Sequence, residues 1–147
     1  MKKKNSKCEF ASERSESLLR NFRESIARQS VISAARAFKE AVDSPAPRFW
    51  VSEVRATRII SLMLKGEDVL TGMHTKKREM FMEIYQRVQK IRSVHPEIPL
   101  GDIVFEVVNN PAPSSYLTIA SAHKIIYRMK KIGRAPFSFP KGGKVKR

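Results

Sequence analysis

The chain carries one pattern twice, and that repetition limits the folds open to it more than any other feature. Residues 34–65 read AARAFKEAVDSPAPRFWVSEVRATRIISLMLK, and residues 100–131 read LGDIVFEVVNNPAPSSYLTIASAHKIIYRMKK. Aligned without a gap at an offset of 66, ten of 32 positions are identical, where unrelated sequences would share about two. The identities pair Glu40 with Glu106, Val42 with Val108, and Pro45, Ala46 and Pro47 with Pro111, Ala112 and Pro113. They continue with Ala56, Ile59, Ile60, Met63 and Lys65 against Ala122, Ile125, Ile126, Met129 and Lys131. Each copy spans only about 55 residues, which is marginal for an independent core. The two copies are therefore expected to bury apolar faces on each other.

Hydrophobic spacing makes both copies helical. Leu18, Leu19, Phe22 and Ile26 recur at three- and four-residue steps, and Ala34, Ala37, Phe38, Ala41 and Val42 repeat the pattern over 33–43. The run SPAP ends that helix, because the residue before a proline is pushed out of helical geometry. Ser52 is a natural cap for a third helix with Glu53 at its positive end, and Gly66 stops it near Lys65. The cycle restarts with Met80, Ile84, Tyr85, Val88 and Ile91, then Leu100, Ile103, Val104, Val107 and Val108, and then a helix capped by Thr118. The stretch IVFEVV has strand-like composition, but its counterpart AFKEAV is helical, so both are read as helix.

The expected fold is all-α: a tandem duplication of a three-helix, helix-turn-helix-like unit with flexible basic tails. Its parts are a basic tail at 1–11, repeat one at 12–66, a joint at 67–76, repeat two at 77–133, and a basic tail at 134–147 read as disordered.

Charge then narrows the function. The net charge is +15, which favours polyanionic partners. No acidic residue follows Glu106, while the last 41 residues hold nine Lys or Arg. A surface shaped only for solubility mixes its signs. On the third helices, Arg55, Arg58 and Lys65 lie roughly 130° from the apolar stripe of Ala56, Ile59, Ile60 and Met63, at 100° per residue. Ser121, Lys124, Arg128 and Lys131 take the same offsets in copy two. With Arg134, Lys141, Lys144, Lys146 and Arg147 of the tail, they form the candidate nucleic-acid-binding set.

Duplex DNA is favoured over RNA, in a regulatory or architectural role, with an imperfect palindrome as target if a pseudo-twofold relates the copies. The alternative is a non-enzymatic helical scaffold, part of an assembly or a virion, whose basic face meets an acidic protein. Phe49, Trp50 and Tyr116 precede the caps and are read as packing residues rather than base-stacking ones.

Catalysis finds no footing. His74, His95 and His123 are scattered, the lone Cys8 sits in the basic tail, and no phosphate loop, nucleophile motif or metal-ligand spacing occurs. No cofactor, metal or small-molecule substrate is expected. The start MKKKNSKCEF lacks an apolar stretch behind its charges, and no run approaches a membrane span. The expected location is cytoplasmic, nucleoid-associated if DNA is the partner.

The string PAPRFWVSEVRA at 45–56, with MEIYQRV at 82–88, resembles a motif in a group of small basic bacterial and mobile-element proteins. That group has no established activity. The resemblance implies the helical unit and its boundaries, and copy two departs from it with SSYLTIAS.

Overall fold

The architecture is that of a computed structural model, which describes residues 10–132, the side chains of 130–132 excepted. It is all-helical: α1 Ala11–Arg28, α2 Ala34–Asp43, α3 Glu53–Leu64, α4 Thr75–Val94, α5 Leu100–Val108 and α6 Ile119–Ile132. Helices α2 and α5, like α3 and α6, begin 66 residues apart. The stretch IVFEVV is helical, as its counterpart required.

Local signals set the ends. Ser33 and Ser52 accept hydrogen bonds from the N–H groups of Arg36 and Arg55 at 3.2 and 3.1 Å. Thr118 accepts from that of Ser121 at 3.0 Å. Each bond satisfies a donor that the first helical turn leaves unpaired. At the end of α3, Gly66 has φ +87. Its N–H reaches the carbonyl of Met63, and the next N–H, from Glu67, reaches Leu62. Glycine adopts this left-handed geometry without the Cβ clash other residues suffer.

The packing departs from the expected unit. A helix-turn-helix requires α2 to pack on α3 and α5 on α6, yet neither pair touches. Instead α3 packs on α4 and α5, while α6 packs on α1 and α2. Each bundle thus takes two helices from one copy and the third from the other. The central bundle, α3–α4–α5, is continuous in sequence, whereas the outer bundle closes only when α6 returns to α1 and α2.

The cause lies in the Pro-Ala-Pro segments. They run extended past each other, so the chain crosses to the far bundle instead of turning back. Ala46 and Ala112 exchange backbone hydrogen bonds of 3.0 and 2.9 Å as an isolated antiparallel bridge. The N–H of Phe49 donates to Val108 at 3.0 Å, and that of Ser115 donates to Val42 at 3.1 Å. Shifting either bond by 66 residues and exchanging the copies gives the other. The seam is therefore self-reciprocal, with Ala46 and Ala112 at its centre.

Two cores result. The central one gathers Phe49, Ile60, Phe81, Ile84, Val88, Val104 and Val108. The outer one gathers Leu18, Phe22, Ala37, Ala41, Ala122 and Ile126. The apolar stripes lie where their spacing put them: Ala56 and Ile60 are fully buried in one core, Ala122 and Ile126 in the other.

Candidate nucleic-acid interface

The third helices carry the candidate cations on the sides turned away from these cores. On α3, Arg55, Arg58 and Lys65 are exposed, and none forms a salt bridge among the described residues. On α6, Lys124 and Arg128 are exposed and likewise unpaired. Ser121 is half-buried, its hydroxyl accepting a 3.0 Å bond from the Thr118 cap, so it belongs to the helix start more than to an open face. The side chain of Lys131 lies outside the described residues, as do Arg134, Lys141, Lys144, Lys146 and Arg147 and nearly all of the N-terminal tail.

The two helices differ in what flanks them. Glu53, Val54, Thr57, Arg58 and Ser61 of α3 share a groove with Gly101, Asp102 and Phe105 of α5. Two carboxylates therefore sit in the same groove as Arg58. The amide of Asn109 donates a 3.0 Å hydrogen bond to Glu53. That bond, with a smaller contribution from the charge of Arg48, holds the Glu53 carboxyl below its usual range and keeps it ionised. Arg48 also donates to Asn109 at 3.0 Å and to the carbonyls of Phe49 and Val51, each at 2.9 Å. This clamp ties the end of α5 to the start of α3. Val54 and Phe105 stay exposed, at 78% and 56%.

The corresponding positions beside α6 read differently. Glu53 is replaced by Ile119, Thr57 by His123 and Ser61 by Tyr127, while Asp102 and Phe105 of α5 correspond to Arg36 and Lys39 of α2. Arg36 and Lys39 are occupied by Glu40 and Asp43, at 2.9 and 2.8 Å. Among the described side chains of α6, the exposed and unpaired cations are Lys124 and Arg128.

Packing accounts for the aromatic residues before the caps. Phe49 is fully buried and stacks on Tyr116, with ring centroids 6.1 Å apart. Trp50 is half-buried against Phe10, at 6.4 Å. Burial and the negative charge of Glu83 push the Tyr116 hydroxyl up to about 12. The sequence reading passed over two features. One is the α3–α5 groove, which joins residues from different copies. The other is the ring pair His123–Tyr127 on α6, for which the available signal was an i, i+4 aromatic spacing beside Lys124.

Among the described residues no three His, Cys, Asp or Glu lie together as a metal site, and no helix is long and apolar enough to cross a membrane. No protein-family model, curated protein or solved structure matches the chain.

Proposed function

We propose that this chain is a nucleic-acid-binding protein, with duplex DNA the favoured partner, acting through the exposed cations of its two third helices and its basic tails. One observation carries the reading. Lys124 and Arg128 are exposed and, among the described residues, unneutralised, on a helix that belongs to a 41-residue stretch without a single Asp or Glu. Cations left without partners on a folded surface repel one another, and a phosphate backbone relieves that repulsion while releasing its condensed counterions. Arg55 and Arg58 add a second contact, weaker because Glu53 and Asp102 oppose phosphate at that groove.

The chain is read as a tandem duplication that folds as an intertwined, single-chain counterpart of a dimer. The self-reciprocal seam supports this, and supports a target with two related but unequal half-sites. The role is regulatory or architectural, within the cytoplasm or nucleoid, and the protein works by binding rather than by catalysis.

The test is selection from a randomised duplex pool at about 50 mM and then 200 mM salt, over which a binder making several phosphate contacts loses orders of magnitude in affinity. An imperfect palindrome enriched at the higher salt supports the reading. Absence of retention at either salt overturns it in favour of a protein-binding scaffold.

A further inference from the structure

Four rings run in series from the core of the outer bundle to its surface. Phe22 is fully buried and lies against Phe38, with centroids 4.7 Å apart. Phe38 lies against His123, again at 4.7 Å. His123 stacks on Tyr127 at 5.9 Å with the planes 20° apart. Tyr127 ends the series at 64% exposure. Among the described residues it has no second ring partner, and its hydroxyl makes no hydrogen bond. A large aromatic ring held in place on one side and open on the other has little rotamer freedom left to lose on binding.

The charges around it are placed to match. His123 and Tyr127 form one i, i+4 row on α6. Lys124 and Arg128 form the row beside it, both exposed and, among the described residues, unpaired. Neighbours at this spacing stand about 5–6 Å apart along the helix. A row of rings next to a row of cations is the combination that holds a single strand: bases stack on the rings while the backbone follows the charges. The corresponding positions on α3 are Thr57, Arg58, Ser61 and Leu62, which keep one cation and no ring.

We propose that the outer face of α6 is a base-stacking site for single-stranded nucleic acid, with an unpaired base on Tyr127 and its flanking phosphates on Lys124 and Arg128. The site rests on the nucleic-acid reading given above and adds a single-strand contact to the duplex contacts proposed there. It belongs to copy two alone.

The experiment titrates the full chain with a labelled single-stranded oligothymidylate and with a random-sequence duplex of equal length, at one salt concentration. Wild type is compared with Tyr127→Ser, which installs the residue found at the matching position of α3, and with Tyr127→Phe. Tyr127→Ser is expected to lower single-strand affinity by about 5- to 100-fold and to leave duplex affinity within about twofold, since the phosphate contacts remain. Tyr127→Phe restores the single-strand value. Photocrosslinking of an iodouracil-containing strand is expected to map to Tyr127. Circular dichroism checks that each variant keeps its helices.

A folded Tyr127→Ser variant with unchanged single-strand affinity overturns the stacking site, and so does an equal loss on both ligands. Wild type that holds the duplex but not the single strand overturns this inference alone. Wild type that holds neither removes the nucleic-acid reading with it.

Discussion

The α3–α5 groove and the α6 face of the outer bundle occupy matching positions in the two bundles and present different chemistry. The first exposes Val54 and Phe105 beside Glu53, Asp102 and a single arginine. The second exposes Tyr127 beside Lys124 and Arg128. Beneath both, the buried residues are the same: Ala, Ile and Ile at the same register, followed by a half-buried Met. Close packing punishes a change of even one methylene inside a core, whereas an exposed position tolerates a change of charge or size at little cost. The two third helices thus share a buried stripe and differ in surface, the α6 face carrying more unopposed positive charge than the α3–α5 groove.

The largest effect separates the bundles by stability. Truncating Phe22 in the outer core or Phe81 in the central one is expected to cost about 3–5 kcal/mol. The central bundle is continuous in sequence, so Phe22→Ala should unfold the outer helices at lower denaturant while the central ones persist, read by hydrogen exchange at the amides of α1 and of α4. Phe81→Ala should shift both signals together. Coincident transitions in Phe22→Ala would make the two bundles one cooperative unit and remove that distinction.

Binding sharpens the contrast next. Lys124→Glu with Arg128→Glu should reduce duplex affinity at least ~10-fold and lower the salt slope by about 2, as two phosphate contacts are lost. Arg55→Ala with Arg58→Ala should reduce it only a few-fold, about the scale of one contact, without unfolding the chain, since both side chains are exposed. Equal losses from the two pairs in anisotropy titrations would break the comparison.

A smaller effect concerns the clamp. Asn109→Ala removes the bonds from Arg48 and to Glu53 and should cost about 1 kcal/mol in denaturant unfolding. Asp43→Ala, at the matching position, removes only an exposed pair with Lys39 and should cost no more than a few tenths of a kcal/mol.

The smallest effect is a pH dependence. Glu40 is held at about 2, against an ordinary 4.5, by the Ser25 hydroxyl first and by Arg36 next. Its folded pKa is depressed, so its contribution is present above pH 4.5 and fades as the pH falls toward 2. Glu40→Gln should flatten the denaturation midpoint across that window.

Much of the fold is legible in the sequence. The caps at Ser52 and Thr118, the stop at Gly66 and the buried stripes follow from neighbours within a few residues of one another. The exposure of Arg55, Arg58, Lys124 and Arg128 followed from the same periodicity. The acidic side of the α3–α5 groove did not, because Asp102 and Phe105 are about fifty positions from Glu53 and Arg58. The ring series did not either: Phe38 meets His123 only after α6 has returned to α2.

The sequence by itself determined that the described chain is helical, where the third helices are capped, which side of each helix is buried, and that its charge is segregated toward the C-terminal end. These are local properties, fixed by backbone propensity, capping and spacing. Only the tertiary structure decided which third helix joins which pair. The stripes Ala56, Ile59, Ile60, Met63 and Ala122, Ile125, Ile126, Met129 are identical, so packing chemistry alone gives each no reason to prefer one partner pair. The extended Pro-Ala-Pro segments, paired at Ala46 and Ala112, carry each third helix across the seam, and that crossing settles which charges share a groove.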